Sequence, residues 1–162
     1  MRKSMSWITA AAILSGGAAI GAREMQHPAV AQLKDAQWGP APAMLPPGAQ
    51  IAVLSGDPGK AGPYTVRLKF PANYVIPAHS HPTDENVAVL SGTFMLGMGD
   101  KLDKKAAGNA TLTVGGYALA PSGMNHYAYT GAQAATILLY GVGPVEFKYV
   151  NPSDDPRTKK TQ

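Results

Sequence analysis

The sequence predicts an all-β domain, either a sandwich or a closed barrel, on three observations. About ten short apolar or alternating stretches are separated by turn clusters. Gly 18 and Pro 14 in 162 residues, with charged residues at only 15%, favour a turn-rich sheet protein over a helical bundle. Beyond the N-terminus no segment repeats its apolar residues at helical spacing for the length of a helix. The length suits one domain with a buried core.

Met1 to Ala22 reads as a secretory signal. Arg2 and Lys3 supply the positive start, and Ile8 to Ala22 is apolar or small, too short for a comfortable membrane span and weakened by Gly16-Gly17. Cleavage fits after Ala22 or as late as Ala31. A retained N-terminal anchor is the alternative. Export implies a secreted or periplasmic protein with no stable membrane insertion after cleavage. With no cysteine there is neither a lipid-bearing thiol nor a disulfide framework. Without the leader's two cations the formal charge falls from +4 to +2, too weak to suggest nucleic acid as a partner, and no Lys/Arg stripe appears.

Residues 23–49 read as a linker and first extended segment. His27 stands beside Pro28, away from other ligand types, as a solvated residue. Trp38 to Pro42 and Leu45 to Gly48 are proline-stiffened and cannot be helical. The barrel is expected over residues 50–150. Gln50 to Leu54 is a strand closed by Ser55-Gly56-Asp57-Pro58-Gly59. Tyr64 to Phe70 alternates apolar with polar residues, the pattern of a half-buried strand. Tyr74 to Pro77 delivers His79 and His81. Val87 to Leu90 and Thr93 to Met98 flank a turn at Ser91-Gly92. Asp100 to Asn109 is a polar surface loop. Ala110 to Val114, Tyr117 to Ala120, Asn125 to Thr130, Ala135 to Tyr140 and Val145 to Val150 complete the strands. Residues 151–162 form a polar tail expected to be partly disordered.

Two stretches carry chemistry. In Pro77 to Gly92, His79 and His81 stand two apart, so an extended chain points both imidazoles to one face. Glu85 follows four residues after His81. Imidazole nitrogens and a carboxylate on one wall suit a borderline divalent metal. In Gly115 to His126, Pro121-Ser122-Gly123 makes a tight turn that sends His126 into the next strand.

Together these stretches resemble the two-motif signature of the cupin superfamily. Its first motif is glycine, five residues, H-x-H, three or four residues, E, six residues, G. His79, His81, Glu85 and Gly92 match it at every spacing, with Asn73 where the first glycine is expected; asparagine tolerates left-handed backbone angles. The second motif is glycine, five residues, P-x-G, two residues, H, three residues, N. Gly115, Pro121, Gly123 and His126 match it, and Thr130 replaces the final asparagine. The resemblance spans Gln50 to Tyr149.

The resemblance implies a double-stranded β-helix (jelly-roll) barrel, a homodimer, and a metal in the barrel mouth held by His79, His81, Glu85 and His126. Three neutral imidazoles and one carboxylate leave a divalent ion at a net charge of about +1, with up to two positions open if octahedral. Without thiolate ligands, Fe, Mn, Ni and Zn all fit. A barrel that has lost its metal is the alternative. Phe94, Met95 and Met98 are candidates for a substrate pocket and Tyr117 for a catalytic acid. Tyr74, Tyr127 and Tyr129 share the motif strands, with Tyr127 expected to turn away from the metal. Asp84 is either a support of the site or a solvated turn carboxylate. By family analogy the chemistry is a dioxygenase-like oxidation or a metal-assisted lyase or isomerase reaction on a small molecule. A non-catalytic sensor or binding module with a structural metal is the second reading.

Overall fold

The computed structural model describes residues 32–158. The expected leader, its expected cleavage points and His27 lie outside the described residues. Every regular element except three short 3-10 turns is a strand, in the order β1 (Gly39–Pro40), β2 (Gln50–Ser55), β3 (Gly62–Phe70), β4 (Val75–Ser80), β5 (Glu85–Ser91), β6 (Phe94–Met98), β7 (Ala110–Leu112), β8 (Tyr117–Ala120), β9 (His126–Thr130), β10 (Ala135–Gly143) and β11 (Lys148–Tyr149). Among the described residues no helix is long and apolar enough to cross a membrane.

The strands form two antiparallel sheets, a six-stranded one in the order β1-β2-β3-β10-β5-β8 and a five-stranded one in the order β11-β4-β9-β6-β7. This is the all-β, two-sheet architecture that the sequence predicts. Alternation decides which side chains meet between the sheets. Tyr64, Val66, Leu68 and Phe70 of β3 face Gly141, Leu139, Ile137 and Ala135 of β10, and Val87 and Val89 of β5 extend the same layer. Phe94, Leu96 and Ala128 answer from the other sheet. Phe70 fills the centre, stacked on Phe94 at 5.5 Å and against Tyr74 at 5.1 Å.

The outer face of the five-stranded sheet is covered by the polar loop of residues 100–109. Gly97 pairs with Tyr127, and the ring lies where a side chain on Gly97 would stand. The Tyr127 hydroxyl reaches the Asp103 carbonyl at 2.9 Å and Asn109 Oδ1 at 2.8 Å. Lys104 sits 5.2 Å over the Tyr129 ring. A solvated loop in the sequence thus serves as the cover of a second apolar cluster of Ala78, Tyr127 and Tyr129.

Three expectations are refined. The strand predicted from Val145 to Val150 shrinks to Lys148–Tyr149, because the preceding residues leave the ladder, where Pro144 has no N–H to offer. Gly39–Pro40 pairs with Ile51 and Gln50, a short edge strand that its prolines concealed. Residues 151–158 are not loose: Asn151 caps one 3-10 turn, and Arg157 grips Asp155 at 2.7 Å and the Phe147 carbonyl at 2.9 Å.

The turns explain the motif residues. Asn73 has φ 56°, the left-handed geometry that asparagine tolerates in place of glycine. Thr130 takes over a bridging job: its hydroxyl donates to the Pro71 carbonyl at 2.7 Å and accepts from the Tyr74 N–H at 2.9 Å, so it ties that turn to β9. Gly92 has φ 74°, and a Cβ there would lie 2.2 Å from the Ala134 carbonyl oxygen. Gly115 has φ 83° with open space around it. Gly115→Ala should therefore cost only backbone strain, about 1–2 kcal/mol, and Gly92→Ala distinctly more, because the clash adds to it. Denaturant unfolding of the two variants checks the order; equal losses would contradict the close approach of β5 and the 131–134 turn.

Candidate metal centre

His79 of β4 and His81 just beyond its end face the barrel interior only because the strand carries an extra residue. Ile76 pairs with Ala128 of β9, yet His79, three residues on, pairs with His126, two residues back. Ile76 belongs to the inner core and Ala78 to the outer cluster. Strict alternation from Ile76 would turn His79 and His81 outward. The bulge falls at Pro77-Ala78, where proline is tolerated because it has no N–H to pair.

That bulge also supplies a hydrogen-bond partner. The Pro77 carbonyl lies 2.7 Å from His79 Nδ1. His81 Nδ1 meets the Glu146 carbonyl at 2.7 Å, and His126 Nδ1 meets the Met124 carbonyl at 3.0 Å. A carbonyl can only accept, so each Nδ1 carries the proton and each Nε2 presents its lone pair inward when the ring is neutral. The Nε2 atoms of His81 and His126 are buried without a hydrogen-bond partner.

The ligand atoms of the three imidazoles lie within 4.8 Å of one another. Glu85 reaches them from β5, with Oε1 3.3 Å from His81 Nε2 and Oε2 3.7 Å from His126 Nε2. Two atoms bound about 2.1 Å from one ion, at roughly a right or tetrahedral angle, stand about 3.0–3.4 Å apart. The His81–Glu85 distance falls in that range and the His126–Glu85 distance just beyond it; with the orphaned nitrogens, this makes the three buried histidines a set that could hold a metal ion. A void of about 20 Å³ bordered by His79, His126 and Glu85 has room for an ion and little else.

The two motifs are stitched to each other by the backbone. The Gly123 N–H donates to the His81 carbonyl at 2.8 Å. Asp84 accepts the Ser122 N–H at 2.8 Å, and the Ser122 hydroxyl donates to the Pro82 carbonyl at 2.7 Å. Asp84 is thus the support of the Pro121-Ser122-Gly123 turn that aims His126. Phe147 stacks on His79 at 4.5 Å and meets His81 edge-on at 4.5 Å.

Beside the imidazoles lies a cavity of about 270 Å³, and Glu85 and Phe147 border both it and the small void. Its other walls come from β3, β10 and the chain around Leu45, including Tyr64, Val66, Leu68 and Leu139. Burial, with Glu85 nearby, pushes the Tyr64 hydroxyl well above its ordinary value.

The predicted pocket residues do not line this cavity. Phe94 is inside but packs against Phe70 and the small void. Met95, one residue on, alternates to the outer cluster. Met98 pairs with His126 but sits 45% exposed at the strand end. Tyr117 is not placed to serve as an acid in the barrel: it is 52% exposed, and its hydroxyl donates to Asn86 on the outer face. In β8 it is Ala118 and Ala120 that pair with Val87 and Glu85 on the inner side. Phe147 and Tyr64 were missed. The alternation of β3 gave the face of Tyr64, but nothing local marks which end of the barrel stays unfilled.

The profile of the ChrR cupin-like domain matches residues 26–146. The chain belongs to that family. No curated protein gives a significant match. Among solved structures, this cupin resembles the polyketide cyclase RemF from Streptomyces resistomycificus at 19% identity and TM-score 0.60, covering 78% of this chain and 88% of the other. It resembles a proposed acetylacetone dioxygenase from Methylibium petroleiphilum at 23% identity and TM-score 0.59, covering 81% and 86%. An RmlC-like cupin from Shewanella frigidimarina is similar at 14% identity and TM-score 0.54, covering 72% and 92%. At these identities the likeness shows the fold.

Electrostatics make the metal-free centre acid-labile. Burial, then the neighbouring His126 and His81, push the His79 imidazole down from 6.5 to about 3. Burial would raise the Glu85 carboxyl, but contacts with His126 and His81 outweigh it and hold it below its ordinary value. Burial opposes a charge on His126 too, yet Glu85 beside it lifts its pKa. Between pH 6.5 and about 3, unfolded chains bind a proton at residue 79 that folded ones refuse. Stability from this residue is complete above pH 6.5 and drains away as the pH falls towards about 3. His126, shifted the other way, changes stability only above its ordinary value and does not offset this fall. Thermal melts of metal-free protein should move steadily down across that range; a flat profile would contradict a neutral, buried His79.

Proposed function

We propose that this cupin is an exported protein that binds one divalent metal ion per chain through His79, His81, His126 and Glu85, and that it acts on a small molecule in the adjoining cavity. The observation that carries the reading is the set of imidazoles whose Nδ1 atoms are all occupied by backbone carbonyls, leaving buried Nε2 atoms facing one another and a carboxylate. Ordinary core histidines would bond through both nitrogens.

The residues divide the work. His79, His81 and His126 hold the ion in a fixed tautomer, and Glu85 lowers its net charge to about +1 while closing one side of the cavity. A bound divalent ion of this kind acidifies a coordinated water or polarises a substrate oxygen. Phe147, packed on two of the imidazoles, shields them from bulk water. The cavity is slightly below the usual range for drug-sized ligands, about 300–1,000 Å³, which favours a small substrate. Iron, manganese, nickel or zinc all suit the donor set. A metal-dependent oxygenation like that named for the dioxygenase neighbour is one candidate reaction, and a lyase or isomerase reaction is another; the fold alone does not choose. A second reading, a sensor or binding module with a structural metal, predicts a closed coordination sphere.

Elemental analysis should find near one equivalent of metal per chain in the protein and at least a tenfold loss of occupancy in His79→Ala and His126→Ala. Addition of metal should raise the melting temperature of the parent and leave both variants unmoved. With Mn(II) loaded, fast water-proton relaxation marks an exchangeable position and favours catalysis; its absence favours the structural-metal reading. Unchanged metal content in both variants would remove the site.

A further inference from the structure

The buried tyrosines fall into two kinds. Tyr74, Tyr127, Tyr129 and Tyr149 each donate a hydrogen bond to a backbone carbonyl, of Pro46, Asp103, Lys104 and Met44 respectively. Tyr64 is only 4% exposed, borders the cavity, and its hydroxyl makes no hydrogen bond among the described residues. A buried phenol almost always finds a partner. Tyr64 has none among the described residues, and the cavity is the open space beside it.

The position of the hydroxyl is built into the sheet. Tyr64 pairs with Gly141 across β3 and β10. A Cβ on Gly141 would stand 3.2 Å from the Tyr64 hydroxyl and 3.1 Å from the Asp84 carbonyl oxygen. The ring therefore leans across the gap that glycine leaves, towards the strand that begins with Glu85. Among the described residues, Tyr64 and Glu85 are the only side chains bordering the cavity that carry a hydroxyl or a charge; Leu45, Ile51, Leu68, Leu139, Val145 and Phe147 make up most of the rest.

We propose that Tyr64 is the polar anchor for the substrate, and that the cavity takes a small, uncharged, largely apolar molecule bearing one oxygen acceptor, such as a ketone. The oxygen accepts a hydrogen bond from the Tyr64 hydroxyl while the apolar body fills the space beside Phe147 and Leu139. On the metal-free wall a carboxylate or phosphate would meet no cation among the described residues and would face Glu85. A sugar would bury hydroxyls without partners, a cost the apolar walls cannot offset. This assignment rests on reading the imidazole cluster and the cavity as one site, joined at Glu85.

Cyclohexanone labelled with ¹³C at the carbonyl, and hexanoate as its charged counterpart, test it on metal-free and metal-loaded protein by NMR titration. Cyclohexanone should bind with a downfield carbonyl shift in both forms. Tyr64→Phe should weaken it about 3–10-fold, the size of one neutral hydrogen bond, and remove the shift. The same variant should melt no lower than the parent, since it deletes no internal hydrogen bond, whereas Tyr149→Phe should melt lower. Gly141→Ala should move the carbonyl shift by displacing the ring. Absence of ketone binding, a shift that survives Tyr64→Phe, or hexanoate binding as tightly as the ketone to metal-free protein would each overturn the assignment. Failure of the metal reading shows separately: a Tyr64-dependent ketone shift in protein that takes up no metal supports the anchor and refutes the metal site. Full metal uptake with Tyr64-independent binding does the reverse.

Discussion

One extra residue in β4 decides the inside of this barrel. The bulge at Pro77-Ala78 turns His79 and His81 from the outer face to the inner one, sets His79 opposite His126, and frees the Pro77 carbonyl to fix the His79 tautomer. A strand without it would keep Ile76 and Ala78 on one side and put both imidazoles into the outer cluster. The bulge thus does three things at once, and a proline makes it inexpensive because no ladder hydrogen bond is lost at that position. The remaining parts of the centre are set by short backbone ties: Gly123 to His81, Ser122 to Asp84 and Pro82, Thr130 to Pro71 and Tyr74.

Those ties give the centre rigidity before any ligand arrives. Each imidazole is fixed at Nδ1 by a carbonyl and packed on at least one neighbouring ring. In the metal-free protein the Nε2 atoms of His81 and His126 have only the Glu85 carboxylate nearby, at 3.3 and 3.7 Å, and no hydrogen bond. A divalent ion would replace that weak pairing with four bonds to groups already aimed inward, so little side-chain freedom is left to lose on binding. The cavity is different in character. It is apolar, bordered by a single unpartnered phenol, and joined to the imidazoles through Glu85 and Phe147.

Much of this was legible in the residues because the motif spacings encode geometry. H-x-H followed by Glu85 places three donors near one another once β4 and β5, which belong to opposite sheets, face each other across the interior, and Pro121-Ser122-Gly123 returns the chain so that His126 joins them. Asn73 behaves as its tolerance of left-handed angles implies. Other features depend on tertiary facts that no local pattern carries. Alternation alone cannot reveal a bulge, so the expected common face of His79 and His81 came without the inversion that makes it the inner face. Met95 and Tyr117 sit on the strands that the pattern indicates but point outward, because Phe94 and Ala118 take the inner phase. Phe147 lies in a stretch that reads as strand and is instead a connection folded over the imidazoles. Thr130 looked like the loss of an asparagine and proves to bridge the same turn with its hydroxyl.

The most direct test of this account is a crystal of metal-loaded protein with diffraction data collected on both sides of the metal's absorption edge. The account predicts one anomalous peak per chain, about 2.1 Å from the Nε2 atoms of His79, His81 and His126 and beside a Glu85 oxygen, with each Nδ1 still on its backbone carbonyl. A peak elsewhere, ligation through Nδ1, or no peak in protein soaked with iron, manganese, nickel or zinc would contradict it.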